Sequence, residues 1–180
     1  MTSCKCRRER PPSCTSDQTL IDIGSGAGLP GVVLAMLRPS LRVILLEPLL
    51  RRSVFLEECV AELGLSNATV LRARAEEKSA ARIEADIATA RAVAPLDRLA
   101  GWAARLLRPG GELLAIKGQS ADEEITAAQP VLSRLGVRSA EVLQAGHGRV
   151  VMATTVVRVV MGGHGREERA VAQRSRRGMA

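Results

Sequence analysis

A glycine-rich turn between an apolar run and a helical pattern is the feature that most restricts the fold of this chain. Thr19–Ile23 is a short apolar run, and every second residue from position 24 to position 28 is glycine. Pro30 suits the first turn of a helix, and the helical pattern extends to about Leu37. A strand, a tight turn and a helix in this order predict the first unit of an α/β sheet.

Strands and helices continue to alternate along the rest of the chain. Further strands are predicted at Arg42–Leu46, Ala68–Leu71, Ile83–Thr89, Glu112–Lys117, Val137–Leu143 and Val150–Val160. Further helices are predicted at 51–63, at 96–106 and after a Ser120–Glu123 capping box. Pro130 should kink or break the last helix, and Pro109–Gly111 is predicted to be a turn.

This alternation predicts an α/β, Rossmann-like fold, with a mostly parallel seven-stranded sheet and helices on both faces. The last two strands are joined by a short turn at Gly146-His147-Gly148, which leaves no room for a crossover helix. They should therefore pair as a C-terminal antiparallel hairpin at the edge of the sheet. A mostly parallel sheet that ends in such a hairpin is the layout of class I methyltransferases, an analogy at the level of the fold.

Aromatic residues are scarce, with one Phe, one Trp and no Tyr in 180 residues. Val54, Phe55, Cys59 and Leu63 share one face of the second predicted helix, and Trp102 lies on an apolar face of the third. Both aromatic side chains are therefore expected in the core, which is otherwise built from Ala, Leu, Val and Ile.

The positive charge of the chain is concentrated at its two ends. The formal net charge of the chain is +7. Residues 1–18 carry four basic and two acidic groups, and residues 161–180 carry five basic and two acidic groups. The rest of the chain therefore has a net charge of only +2. We expect a disordered leader at 1–18, one domain at 19–160 and a basic disordered tail at 161–180. The charge that suggests a nucleic-acid partner thus lies largely outside the domain.

Metal sites and membrane spans are not expected. The four cysteines form no CxxC pair, and neither His147 nor His164 lies at metal-ligand spacing. The chain has no apolar run of about 18 residues, and its first residues lack the apolar core of a signal peptide. The expected location is therefore the cytoplasm.

The spacing of the glycines discriminates between two classes of nucleotide cofactor. Dinucleotide-binding turns carry a third glycine where this chain has Leu29, and they place a pyrophosphate on the helix N-terminus. S-Adenosylmethionine has no phosphate and needs close backbone beside its methionyl and ribose groups, which Gly24, Gly26 and Gly28 would permit. Glu47 closes the second strand, and its carboxylate could accept hydrogen bonds from both ribose hydroxyls. The sequence therefore predicts S-adenosylmethionine as cofactor.

Other candidate site residues follow the carboxyl ends of the predicted strands, where ligands bind in open α/β sheets. After the third strand, Ala75 could pack beside adenine, and Glu76 could accept from its amine or fix the loop. Basic residues occur along the same edge, at Arg72, Arg74, Arg91 and Lys117, with Arg51 and Arg52 at the start of the second helix. Cations at a helix N-terminus oppose the helix dipole, which indicates a phosphate-facing role for that pair.

Five segments occur in the order typical of one enzyme family: LIDIGSGAGLPG (20–31), LEPLLRRSVFL (46–56), RAEE (74–77), ARAVA (90–94) and AIKG (115–118). Through these segments, over roughly residues 19–160, the chain resembles the ribosomal RNA small-subunit methyltransferase G family, also called glucose-inhibited division protein B. The resemblance implies methyl transfer from S-adenosylmethionine to N7 of a guanosine in 16S rRNA. The implied partner is 16S rRNA or the small ribosomal subunit.

The resemblance also implies roles for individual residues. By position, the family's cofactor contacts fall on Gly24, Leu29, Ala75, Glu76 and Arg91, and its basic RNA-facing positions fall on Arg51, Arg52, Arg74 and Lys117. Guanine N7 has a free lone pair and no proton to remove, so no general base is expected. Arg91 and Lys117 are expected to position cofactor and base, because the reaction depends largely on proximity and orientation.

The N-terminus departs from the family pattern. Family members carry some tens of residues of helix before the first strand, where this chain has its leader, so a shortened chain of reduced stability or solubility is expected. Three alternatives follow from the sequence. They are a class I methyltransferase of another substrate, a nicotinamide-dependent oxidoreductase, against which Leu29 counts, and a truncated, poorly active remnant of the family.

Overall fold

The computed structural model describes residues 18–77, 80, 83–146 and 153–163. Within these residues, strands and helices alternate in the predicted order. The strands are β1 (Thr19–Ile23), β2 (Arg42–Leu46), β3 (Ala68–Leu71), β4 (Ala85–Arg91), β5 (Leu107–Ile116), β6 (Val137–Ala145) and β7 (Thr154–Met161). The helices are α1 (Gly31–Leu37), α2 (Leu50–Glu62), α3 (Leu96–Leu106) and α4 (Ala121–Arg134).

The strands form one seven-stranded sheet in the order β3-β2-β1-β4-β5-β7-β6. The pairs from β3 to β5 are parallel, whereas β7 is antiparallel to both β5 and β6. The predicted mostly parallel sheet with a C-terminal antiparallel hairpin is confirmed. The strand order reverses on either side of β1, between β2 and β4, and this opens a crevice at the carboxyl ends of these strands.

Helices cover the sheet on both faces. Successive side chains of a strand point to opposite faces, so neighbouring residues of β1 pack against different helices. Ile21 of β1 packs into one apolar cluster, together with Leu99 of α3 and Leu132 of α4. Its neighbour Leu20 packs into a second cluster, which includes Val32 of α1 and Leu56 of α2. The loops at the carboxyl edge are therefore held on a sheet that is buried from both sides.

Two predictions for α4 are wrong. The helix continues through Pro130 to Arg134, so the predicted break does not occur. Pro130 lies on the exposed side, while Ala128 and Leu132 pack into the core, and this burial outweighs the one backbone hydrogen bond that proline removes. Ser120 stands at the N-cap position but makes no side-chain capping hydrogen bond, so the predicted capping box is not formed.

The predicted turn at Pro109–Gly111 lies inside β5. This strand begins at Leu107, directly after α3, and its pairing with β4 shifts register between Ala85 and Ile87. Gly110 has a φ of +76°, in the left-handed region that favours glycine. The three residues therefore form an irregularity within the strand and not a turn that precedes it.

Helix α2 buries a different face from the predicted one. Its buried residues are Ser53 and Leu56, whereas Val54 and Phe55 are 42% and 45% exposed. The hydroxyl of Ser53 donates to the carbonyl oxygen of Leu50 (2.9 Å), which satisfies it within the helix. The prediction that Phe55 belongs to the core is therefore wrong, and the one phenylalanine of the chain lies at the surface.

The predicted leader and tail lie largely outside the described residues, as does most of the predicted turn at Gly146-His147-Gly148. Strand β7 reaches Met161, the first residue assigned to the tail. In the part of the chain that the structure describes, no helix is both long enough and apolar enough to cross a membrane.

Candidate active site

A cavity of about 700 Å³ opens at the carboxyl ends of the parallel strands. The segments that follow β1, β2, β3 and β4 form most of its wall, and α2 and α3 add residues from the side. An open α/β sheet binds ligands at this edge, because the loops diverge where the strand order reverses. The sequence places its candidate residues at the same edge.

The three glycines of the first loop have two different roles. Gly24, Gly26 and Gly28 have φ of +68°, +56° and +86°, values that side chains rarely tolerate. Gly24 and Gly26 line the cavity and present bare backbone to it. A Cβ at Gly28 would lie 2.6 Å from Cγ2 of Val32, so this glycine allows the turn to pack against α1.

Glu47 joins the glycine loop to the start of α2. This residue is only 2% exposed, and its Oε2 accepts from the backbone N–H of Gly26 (3.0 Å) while Oε1 accepts from that of Leu49 (3.0 Å). Each carboxylate oxygen can accept a second hydrogen bond, and Glu47 lines the cavity. The backbone therefore holds the carboxylate in place, and its oxygens keep capacity for two donors of a ligand.

Asp22 supports the glycine loop from beneath. Its Oδ2 accepts from the N–H of Gly31 (3.1 Å), and its Oδ1 accepts from the hydroxyl of Thr89 (2.9 Å). Burial raises the pKa of the Asp22 carboxyl above its usual range, and this effect exceeds the opposing effect of the hydrogen bonds. Asp22, in β1, thus ties this strand to β4 and to the start of α1.

We expect Asp22→Asn to change the pH dependence of stability. With a raised pKa in the folded protein, the carboxyl binds more protons folded than unfolded above pH 3.8, so wild-type stability falls as pH rises through the folded pKa. Asparagine keeps an oxygen for Gly31 and a donor for Thr89, and it does not ionise. Urea titrations should therefore show D22N gaining stability relative to wild type as the pH rises. A difference that stays constant with pH would contradict this account.

Four arginines give the wall of the cavity a positive edge: Arg52 in α2, Arg74 after β3, Arg91 at the end of β4 and Arg98 in α3. All four are exposed. Among the described residues, none of them forms an ion pair. Guanidinium groups in this situation are suited to a carboxylate or phosphate of a ligand.

The cavity brings together most of the residues that the sequence singles out. Those that line it are Gly24, Gly26, Leu29, Glu47, Arg52, Arg74, Ala75, Glu76 and Arg91. Gly28 lies behind the loop, and Arg51 lines a second cavity that adjoins the first. Lys117 lines neither cavity. The roles of all these residues towards ligands stay predictions.

Lys117 supports the loop between β4 and α3. Its ammonium donates to the carbonyl oxygen of Ala94 (2.8 Å) and to Oε2 of Glu124 (2.6 Å), and its side chain is 11% exposed. The same Glu124 oxygen accepts from the N–H of Leu96 (3.1 Å). The ion pair therefore joins the end of β5 and helix α4 to the segment that follows Arg91.

Sequence reasoning did not identify Arg98 and Trp102 as parts of the cavity wall. Trp102 packs against the larger apolar cluster and also lines the cavity. Helical periodicity predicts only the first of these two contacts. Arg98 lies in the first turns of α3, which begins soon after β4 ends, and this short connection is the only signal that could have placed it at the carboxyl edge.

The sheet order, the glycine loop after β1 and the buried acidic residue after β2 define a class I methyltransferase fold. Residues 11–152 match the family described as rRNA small subunit methyltransferase G. The chain belongs to that family.

Relatives named Ribosomal RNA small subunit methyltransferase G include a protein of Thermobifida fusca, 60% identical over 142 residues, and one of Nocardioides sp., 54% identical over 162 residues. The alignments cover 79% and 90% of this chain. They cover 60% and 64% of the two relatives, so the chain spans less than two thirds of their length.

Solved structures share the fold. A variant of the 16S rRNA (adenine(1408)-N(1))-methyltransferase from Catenulisporales acidiphilia superposes with a TM-score of 0.65 at 16% identity, over 83% of this chain and 87% of that chain. A SAM-dependent O-methyltransferase from Thermotoga maritima superposes with a TM-score of 0.64 at 16% identity, over 82% of this chain and 60% of that chain. These structures support the class I methyltransferase architecture of the chain.

Proposed function

We propose that the chain binds S-adenosylmethionine in the cavity and transfers its methyl group to N7 of a guanosine in 16S rRNA. The observation that carries the proposal is the buried Glu47 carboxylate, which holds the glycine loop and lines the cavity with it. Membership of the rRNA small subunit methyltransferase G family supports the reaction class and the RNA substrate.

The residues of the cavity fit S-adenosylmethionine better than a dinucleotide. Glu47 would accept from both ribose hydroxyls, and the bare backbone at Gly24 and Gly26 would lie beside the methionyl group. Ala75, which is 6% exposed, and Glu76 would border the adenine. Leu29 lines the cavity and stands where the dinucleotide fingerprint has its third glycine, which allows close packing of the helix on the strand.

The chemistry needs orientation and no general base. When bound, S-adenosylmethionine would supply a methyl group on a positively charged sulfur. The lone pair of guanine N7, which bears no proton, would form the new bond while the methyl–sulfur bond breaks and S-adenosylhomocysteine leaves. Catalysis can therefore rest on proximity and alignment of the reactants. We assign positioning roles to two residues. Arg91 would orient cofactor and base directly from the cavity wall, and Lys117 would do so indirectly, by holding the loop that follows Arg91.

Basic residues at the rim would bind the RNA backbone. Arg51, Arg52 and Arg74 are proposed to contact phosphates. Lys117, the fourth basic position that the family resemblance implies, is bonded to Ala94 and Glu124 and is assigned the positioning role instead. RNA binding should weaken as salt concentration rises, because these contacts release counterions. The partner would be 16S rRNA or the small ribosomal subunit, which places the activity in the cytoplasm.

Undermethylated small ribosomal subunits test the proposal. With labelled S-adenosylmethionine, the purified chain should transfer label to the subunits, and nuclease digests should yield 7-methylguanosine. Label on another base, or on free small substrates alone, would indicate a class I methyltransferase of another substrate. Calorimetry that detects S-adenosylhomocysteine binding without transfer would indicate a poorly active member of the family. Binding of NAD in place of S-adenosylhomocysteine would overturn the cofactor assignment.

We expect both Lys117→Met and Glu124→Gln to lower cofactor affinity, because each removes the ion pair that supports the loop after Arg91, and Lys117→Met to have the larger effect, because it also removes the hydrogen bond to Ala94. A hydrogen bond to a charged group contributes about 1.5–3 kcal/mol, and because this pair lies outside the cavity only part of that should reach the ligand, as a decrease in affinity of about 3- to 10-fold. Calorimetry with S-adenosylhomocysteine should show a decrease of this size in both variants. Glu123→Gln, in the exposed first turn of α4, is the matched control and should bind as wild type does.

The comparison separates the two possible roles of Lys117. A positioning role lowers cofactor affinity in both variants, and RNA affinity at a saturating cofactor concentration stays near that of wild type. If Lys117→Met alone lost RNA binding, with Glu124→Gln unaffected, the ammonium would contact RNA directly and the positioning role would be wrong.

A further inference from the structure

A second cavity of about 600 Å³ adjoins the proposed cofactor site. The two cavities share Gly26, Ala27, Leu49 and Arg52, so a ligand could pass from one into the other without leaving the surface. The second cavity adds Leu50, Arg51 and Phe55. We call the surface formed by Leu49, Leu50, Arg51, Arg52 and Phe55 the α2 platform.

The α2 platform is apolar and exposed. Leu49, Leu50 and Phe55 are 52%, 58% and 45% exposed. Phe55 is the one phenylalanine of a chain that has no tyrosine, and the single tryptophan, Trp102, packs partly against the core. Within the described residues, the most exposed aromatic ring therefore lies beside the proposed active site. Clustered apolar side chains at such a place indicate a binding surface.

The same platform carries positive charge. Arg51 and Arg52 lie in the first turn of α2, and this turn contains no acidic residue. The positive end of the helix dipole adds to the two guanidinium charges. An aromatic ring beside cations is the combination with which proteins bind single-stranded nucleic acids, because bases stack on the ring while the backbone phosphates pair with the cations.

We propose that the α2 platform binds the nucleotide adjacent to the methyl acceptor in the RNA strand, with its base stacked on Phe55. Arg52 lines both cavities and would bind the phosphate between the two nucleotides. Arg51 lines only the second cavity and would bind the next phosphate. This assignment rests on the proposed RNA methyltransferase function and gives it a specific contact outside the cofactor site.

Three substitutions in α2 test whether Phe55 stacks on a base. Phe55→Leu keeps an apolar side chain without a ring, Phe55→Trp keeps a ring, and Val54→Ala changes a residue of similar exposure that lines neither cavity. A lost stacking contact corresponds to a decrease in affinity of about 5- to 150-fold. F55L should raise KM for small ribosomal subunits by such a factor, with KM for S-adenosylmethionine unchanged. F55W and V54A should behave as wild type does.

A binding measurement isolates the base from the backbone. Fluorescence anisotropy compares a labelled adenosine oligoribonucleotide with an abasic oligomer of the same length, in the presence of S-adenosylhomocysteine. Wild type should bind the adenosine oligomer more tightly, and F55L should remove this difference. Arg51→Gln should weaken the binding of both oligomers equally. It should also reduce the slope of log affinity against log salt concentration by about one, as expected for the loss of one phosphate contact.

Other outcomes would overturn the platform while leaving the proposed function intact. If wild type methylates the subunits and F55L is equally active, the ring of Phe55 binds no base. A loss of S-adenosylhomocysteine affinity in F55L would assign Phe55 to the cofactor site. A dimer in sedimentation experiments that dissociates in F55L would show that a second copy of the chain occupies the platform. Wild type that transfers no methyl group to RNA would instead overturn the proposed function itself.

Discussion

Replacing Glu47 with alanine should reduce the affinity for S-adenosylhomocysteine by at least about 100-fold. A hydrogen bond to a charged group contributes about 1.5–3 kcal/mol, and the carboxylate would accept two from the ribose. Two such bonds correspond to a factor of about 100 or more in the dissociation constant. The variant also leaves the N–H groups of Gly26 and Leu49 without their acceptor, so the loop itself becomes less well fixed. Isothermal titration calorimetry measures the change.

The amide variant distinguishes charge and hydrogen bonding from size. In wild type, both carboxylate oxygens accept from backbone N–H groups. Glu47→Gln has the same size but must direct its NH2 group at one of these donors, so its affinity should also fall by at least about tenfold. Glu58→Gln, on the exposed side of α2, is the control and should bind as wild type does. Wild-type affinity in E47Q would show that the carboxylate does not bind the ribose.

The sequence predicts the central strands well because their signals are local. β1, β2 and β3 coincide with their predicted bounds, since each is an apolar run that ends at polar or turn-forming residues. Predictions fail where tertiary contacts decide. Helix α2 carries two apolar stripes, and the buried one includes Ser53, which a hydrophobicity pattern does not count as core. Pro130 stays helical because its neighbours in α4 are buried.

In the candidate site, too, the sequence predicts features with local signals and misses those that depend on tertiary contacts. Glycine spacing and strand ends are visible in the sequence, and they place Gly24, Glu47 and Arg91 at one cavity. The partner of Lys117 is not visible, because Glu124 lies in the next helix and only the packing of α4 brings them within 2.6 Å. Phe55 shows the converse case, in which an apolar residue at helical spacing is exposed next to the site.

We expect Gly31→Ala to destabilise the protein by about 1–2 kcal/mol. Gly31 is buried at the start of α1, where a Cβ would overlap Cδ2 of Leu45 and lie 2.6 Å from Oδ2 and 2.9 Å from Cβ of Asp22. Leu45 is fully buried, and Asp22 is held by Gly31 and Thr89, so neither side chain can move freely. Overpacking of this kind typically costs about 1–3 kcal/mol or more. The loss exceeds the gain of up to about 1 kcal/mol that alanine brings to a helix.

Gly101→Ala provides the matched control, because the same substitution there meets no atom within 4 Å. Gly101 lies inside α3, so alanine should stabilise the protein by about 0.5–1 kcal/mol through helix propensity alone. In a domain of this size, 1 kcal/mol corresponds to about 2–4 °C in Tm. Thermal unfolding should therefore show Gly31→Ala below wild type and Gly101→Ala above it. Equal shifts in the two variants would mean that the contact between Gly31, Asp22 and Leu45 does not constrain the glycine loop.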